Sequence, residues 1–168
     1  MEIRTARLQL VPASALFVQE LRRNRGRAER LIAASIPAGW PGPDLAGFLP
    51  IYAAGLEEDP TSIGFGIWLV IEMRTRMLVG DAGFIGRPSA QGVVELGYSI
   101  HPEHRDTGYA TEAGAALIGW VLAQEGVLAV VAECERDNPA SIRVLEKIGM
   151  SRTGTQDRLI RWEIRAGA

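Results

Sequence analysis

The sequence has one cysteine, two histidines and no large surplus of either charge among its 168 residues. Cys134 alone cannot close an intramolecular disulfide or build a cysteine-based zinc cage, and such a chain fits a reducing, cytoplasmic compartment. His101 and His104 sit together in one loop, away from the i, i+4 spacing of a helical metal pair, so no metal is expected. The 20 acidic and 18 basic residues are mixed along the chain and give a net charge of -2. Without a basic stripe to neutralise phosphates, nucleic acid is not an expected partner. No apolar run reaches membrane-spanning length, and "MEIRTARLQLVPASALF" alternates charge where a signal peptide would be basic and then apolar. The chain reads as soluble, with no membrane partner.

What is present is enough apolar material, 47% of residues, to bury one core, and the expectation is a single domain over residues 1–168. "IRTARLQLVP" alternates as a strand does, and "ASALFVQELRRN" follows at helical spacing. A loop rich in proline and glycine, Ile36 to Pro43, reads as mobile and precedes a helix kinked at Pro50. "GFGIWLVIEM" and "RMLVGDAGFIGR" predict an antiparallel hairpin with Thr75 near its tip, and "GVVELGYSIH" predicts the next strand. Then come a helix from about Thr107 to Gln124, the strand "VLAVVAECE", the helix "NPASIRVLEKIG" ended by Gly149, and a closing pair, "MSRTGTQ" and "RLIRWEIRA". This order defines a mixed α/β (α+β) class with a central, mostly antiparallel sheet of about seven strands flanked by helices. An edge strand near the C-terminus could pair in a homodimer.

The stretch "HPEHRDTGYATEAG" leaves a strand and starts a helix. Helix starts expose unpaired N–H groups at the positive end of the dipole, and Gly108 with Ala110 would let an anion approach the backbone, with Thr111 adding a hydroxyl. An ordinary cap by Asp106 or Thr107 accounts for the same residues.

Arg105-x-x-Gly108-x-Ala110 resembles the Q/R-x-x-G-x-G/A signature of the GNAT superfamily of acyl-CoA-dependent N-acyltransferases. "ELGYSIHPEHRDTGYATEA" and "NPASIRVLEKIGM" are similar to the branch of ribosomal-protein N-terminal acetyltransferases, as are "RTARLQLVPA" and "GWP". The resemblance implies a twisted sheet whose middle strands, Val93 to Ile100 and Val127 to Glu135, splay into a cleft for acetyl-CoA. In that arrangement the pantetheine arm pairs with backbone near Tyr98 and Ile100, and the diphosphate sits on Arg105, Asp106, Thr107, Gly108, Tyr109 and Ala110. Asp106 and Thr107 depart from the basic or glycine residues of many relatives, and a carboxylate beside a diphosphate is unfavourable unless it points outward.

Acyl transfer needs a deprotonated amine, a polarised thioester carbonyl and a proton for the leaving thiolate. Glu133 stands five residues before Asn138, a spacing that resembles the acidic base of some N-terminal acetyltransferases, and Glu95 competes from the neighbouring strand. Each carboxylate could equally be solvated or paired with an arginine. Ser141, three residues after Asn138, resembles a serine near the CoA sulfur, with the asparagine on the pantetheine; Asn138 also suits an N-cap. Where many members carry a tyrosine acid, this chain has Leu145. Cys134 reads as core, because the implied mechanism is direct transfer in a ternary complex. Trp40, Phe48 and Tyr52 could line an acceptor pocket or belong to the core. The implied activity is acetyl transfer from acetyl-CoA to a primary amine, on a small molecule or a protein N-terminus. A non-catalytic acyl-CoA sensor and a nucleotide-binding domain are the competing readings, the last without a P-loop lysine.

Overall fold

The computed structural model describes residues 1–167. Its strands form one eight-stranded sheet in the order β1-β2-β3-β4-β5-β6-β8-β7, one strand more than the sequence predicts. The first predicted strand is in fact two, β1 (Ile3–Arg4) and β2 (Leu8–Pro12), folded back on each other with Ile3 opposite Leu10. Alternation runs through both segments, so periodicity alone does not show the turn at Thr5 to Arg7 between them.

The helices after β2 are α1 (Ala15–Arg23), capped by Ser14, and α2 (Arg25–Ile32), capped by Asn24. The kinked helix is α3 (Pro43–Glu58), with proline in its first turn, where the missing N–H costs nothing, and Pro50 inside it. A 3-10 turn over Pro60–Phe65 precedes β3 (Ile67–Glu72), so the glycines at the start of "GFGIWLVIEM" lie outside the strand. Glu72 holds the β3–β4 hairpin tip by accepting from the Thr75 amide at 2.7 Å and from the Thr75 hydroxyl.

All six residues of β3 are buried. Their alternation supplies two cores. Trp68 and Val70 face one layer with Leu117 and Val121, while Leu69 and Ile71 face another with Phe17, Ile32 and Leu49. A continuous apolar run is what a strand covered on both faces requires. Helices α4 (Tyr109–Leu122) and α5 (Pro139–Lys147) cover the first face, and α1 to α3 the second.

The middle of the sheet joins β4 (Met77–Phe84), β5 (Val93–Ile100) and β6 (Ala129–Glu135). β5 and β6 run parallel, and their register covers Val93↔Ala129, Val94↔Val130 and Glu95↔Val131 only. Beyond that rung β5 stays on β4, through Ala82↔Tyr98 and Gly80↔Ile100, while β6 stays on β8 (Leu159–Arg165) as far as Glu135↔Leu159. The sheet therefore forks at Glu95. β7 (Ser151–Gln156) is the outer strand beside β8, and all its residues are exposed.

Two local signals place the residues around the fork. The Asn138 side chain accepts from the Ser141 amide at 3.1 Å and starts α5. At the other end Gly149, at φ 86°, takes the left-handed position of a Schellman motif, with Gly149 N–H on the Glu146 carbonyl and Met150 N–H on Leu145. Leu145, seven residues after Asn138, is core.

Candidate active site

A cleft of about 500 Å³ opens at the fork, between the free side of β5, the loop from His104 to Gly108, and one face of α5. Its chemistry begins with the ladder. His101 N–H donates to the Val79 carbonyl at 2.9 Å, and alternation of an antiparallel pair then turns Ser99 and Gly97 toward β4 and Tyr98 and Ile100 toward the fork. The polar backbone of Tyr98 thus faces the gap left by β6, as an edge strand's would. The Ile100 carbonyl is already met there by Arg105 Nε at 3.0 Å. Of the two expected backbone contacts, Tyr98 offers both its groups and Ile100 offers its N–H.

The loop above is built to expose amides. Asp106 and Gly108 both take left-handed φ values, 57° and 83°, which aspartate tolerates and glycine adopts without cost. Gly108 is the N-cap of α4 and provides no side-chain cap; the first helical bond is Glu112 N–H to the Gly108 carbonyl, at 3.0 Å. No protein acceptor meets the N–H groups of Tyr109, Ala110 or Thr111 among the described residues. Thr107 does not cap them; its hydroxyl donates back to the His104 carbonyl at 2.6 Å. The expected helix from Thr107 accordingly starts at Tyr109. Three unpaired amides at a helix start, with no Cβ in front of them, suit a diphosphate. Arg143 and Lys147 of α5 line the cleft together with Arg105 of the loop. The sequence reading does not include these α5 cations, whose i, i+4 spacing on one helix face was the signal for them.

Ser141 and Tyr98 meet inside the cleft. Their hydroxyl oxygens lie 2.7 Å apart, and the Tyr98 hydroxyl also reaches the Ser141 carbonyl at 3.3 Å. Burial pushes the Tyr98 phenol up, partly offset by the bond to Ser141. The sequence presents Tyr98 for its backbone; the structure adds its hydroxyl.

The two candidate carboxylates share the other face of the sheet. Glu95 is half-buried on the last rung before the fork, and its carboxyl is raised by burial first and by the nearby Glu133 carboxylate second, against Arg161. Glu133, two residues past the rung on β6, is opposite Arg161 of β8 and accepts from its Nε at 2.9 Å. No arginine or lysine pairs with Glu95 among the described residues. Of the two, Glu95 combines the poised proton affinity with a free carboxylate.

The loop from Ile36 to Pro43, which the sequence predicts to be mobile, lies against the end of β5 at His101. Its carbonyls are held in place: Arg25 Nη2 donates to Ile36 and Trp40 at 3.2 Å each and to Pro37, and His101 Nε2 lies 3.1 Å from the Ala38 carbonyl. Trp40 is core rather than pocket lining, 4% exposed, and its Nε1 donates at 2.7 Å to Asp81 Oδ2, whose carboxyl burial pushes up to about 6. Tyr52 donates to the Ala13 carbonyl at 2.8 Å, and Phe48 is exposed. Cys134 is buried, its sulfur accepting from Trp162 Nε1 at 3.2 Å. No cluster of metal-ligating side chains occurs among the described residues, and no helix among them is long and apolar enough to cross a membrane.

A forked sheet with an anion-ready helix start at its mouth is the arrangement that the resemblance to acyl-CoA-dependent acetyltransferases implies, and comparison with known proteins agrees. The model of the acetyltransferase (GNAT) domain matches residues 15–151, and the chain belongs to the GNAT acetyltransferase family. It is 30% identical over 147 residues to the uncharacterized N-acetyltransferase YjdG of Bacillus subtilis (strain 168), covering 88% of each chain. Among solved structures it superposes on an acetyltransferase (GNAT family) from Bacillus anthracis with a TM-score of 0.67 at 19% identity, over 100% of both chains. It also superposes on RimL, a ribosomal alpha-N-protein acetyltransferase in complex with coenzyme A, with a TM-score of 0.70 at 14% identity, over 98% of both chains.

Proposed function

We propose that residues 1–168 form one catalytic domain that moves an acetyl group from acetyl-CoA directly to a primary amine, in a ternary complex with no acyl-enzyme. The observation that carries the assignment of roles is the position of Glu95, a free carboxylate of raised proton affinity at the vertex of the fork. The diphosphate sits on the amides of Tyr109, Ala110 and Thr111, flanked by Arg105, Arg143 and Lys147, and the pantetheine arm follows the Tyr98 backbone as an added strand would.

Glu95 takes the proton of the incoming ammonium, directly or through one water. The freed lone pair forms the C–N bond as the thioester C–S bond breaks; the thiolate takes the Ser141 proton, Tyr98 replaces it through their 2.7 Å contact, and the second proton shed by the attacking nitrogen leaves to solvent, from which Tyr98 is reprotonated. Glu133, held by Arg161, keeps a negative field beside Glu95 that favours a cationic substrate. An α-amino group, with an ordinary pKa near 8, needs only a modest base, so the acceptor class is an α-amine of a protein N-terminus or small molecule. RimL's description as an alpha-N-protein acetyltransferase supports this class. Calorimetric titration with acetyl-CoA tests the donor, and a panel of amines followed by thiol release tests the acceptor. Absence of heat at millimolar acetyl-CoA would sink the assignment.

A further inference from the structure

The turn between β1 and β2 sends Arg7 about a hundred residues along the chain to the back of the diphosphate loop. Its Nη1 donates to the Thr107 carbonyl at 2.9 Å and its Nε to Glu112 Oε2 at 2.7 Å. Its guanidinium carbon lies 4.7 Å from the Tyr109 ring centroid, and a Cβ built on Gly108 would stand 3.3 Å from its Nη2. Arg7 does not line the cleft. It lies against the loop from behind, touching Thr107, Gly108 and Tyr109 in succession.

We propose that Arg7 is a positioning residue that aims the loop's amides at the donor's diphosphate. Peptide planarity couples the two. In a trans peptide the C=O and the next N–H point in opposite directions. Fixing the Thr107 carbonyl toward Arg7 therefore turns the Gly108 N–H away from Arg7, to the side where the cleft lies. This peptide lies between Thr107 and Gly108, and Gly108, at φ 83°, can take either sign of φ at little cost, so the tether to the Thr107 carbonyl is what selects the orientation.

Arg7 is itself held. Glu112 Oε1 accepts from the Arg7 amide at 2.8 Å and from the Thr5 hydroxyl at 2.5 Å. Burial would raise the Glu112 carboxyl, but the bonds from Thr5 and Arg7 outweigh it and hold it below its ordinary range. Thr5, Arg7 and Glu112 thus tie the first turn of α4 and the loop before it to the N-terminal hairpin.

The test rests on the acetyl-CoA reading above and is arranged to fail separately from it. CoA affinity of the full chain is measured by calorimetry for the parent, Arg7→Met and Arg7→Lys. Affinity for acetyl-pantetheine, which lacks the diphosphate, is measured by NMR titration. Arg7→Met should weaken CoA about tenfold, the scale of one charge-assisted hydrogen bond, and leave acetyl-pantetheine within about twofold. Arg7→Lys, which keeps the charge but not the planar fork, should fall between. If the parent binds CoA and both variants match it, the inference is overturned and the acetyltransferase reading survives. Equal losses for CoA and acetyl-pantetheine also overturn it, because they mark general damage to the fold. If the Met variant does not fold, the Lys variant decides by the same comparison. A parent that binds no CoA overturns both.

Discussion

Replacing Gly108 with alanine adds one methyl group at the point where the loop needs none. At φ 83° an L-residue carries the left-handed penalty of about 1–2 kcal/mol. The added Cβ would also stand 3.3 Å from Arg7 Nη2. That is the tip of a long side chain, which usually yields, but Arg7 is tethered through Nε and Nη1 and can retreat only by lengthening those bonds. Taken together the cost is about 2 kcal/mol, or roughly 5 °C in melting temperature for a chain of this size. CoA affinity should fall about tenfold, because the methyl group displaces the peptide that faces the diphosphate. Thermal unfolding and calorimetry read the two effects separately. A Gly108→Ala protein with the parent's melting temperature and the parent's CoA affinity would refute both the strain argument and the cradle. Asp106, two residues earlier and also at positive φ, gives the opposite expectation. Asp106→Gly removes an exposed carboxylate from the loop and should tighten CoA by about two- to fivefold, the worth of a surface charge interaction; an unchanged affinity means that the carboxylate points away from the phosphates.

Glu95→Gln should lower acetyl transfer by about a hundredfold with CoA affinity intact. In the parent the Glu95 carboxyl is raised by burial and by Glu133, so the rate should be lost as pH falls through that raised value, an acid limb that the Gln variant lacks. Tyr98→Phe removes the phenol that resupplies Ser141, and single-turnover thiol release should slow by about tenfold or more while calorimetry shows CoA still bound; an unchanged rate removes Tyr98 from the proton path. Asp81, raised from 3.8 to about 6 by burial, disfavours the folded state when it ionises. Stability is therefore lost as pH rises from about 4 to about 6, by up to about 3 kcal/mol at 1.36 kcal/mol per pH unit. Asp81→Asn keeps an acceptor for Trp40 and should be more stable than the parent at pH 8 in urea titrations, with the difference vanishing below pH 4.

Local grammar made much of this legible. The glycine of the helix start, the Asn138 cap and the Gly149 stop each depend on a few neighbouring residues, and the structure places all three at helix ends. The fork itself came from resemblance to a family, since nothing in "VVELGYSI" or "VLAVVAECE" states that their pairing stops after three rungs. Contacts between distant elements were not legible. That Arg161 pairs with Glu133 depends on the β6–β8 register, which no single strand encodes. Arg7 looks like any polar residue in an alternating segment until the sheet brings it to the loop at Thr107. Trp40 and Asp81 lie 41 positions apart, and their bond turns a loop rich in proline and glycine into a fixed wall.

The three rungs that join β5 to β6 also act as a gauge. From the fork at the Glu95 rung to the diphosphate loop, β5 runs free of β6 over Leu96 to Ile100, about 16 Å at 3.3 Å per residue. A ladder one rung longer or shorter would shift the vertex by one such step, while the loop at Gly108 stayed in place. The depth available to the acyl end of the donor is thus written in strand register and can be altered without changing any side chain that handles a proton.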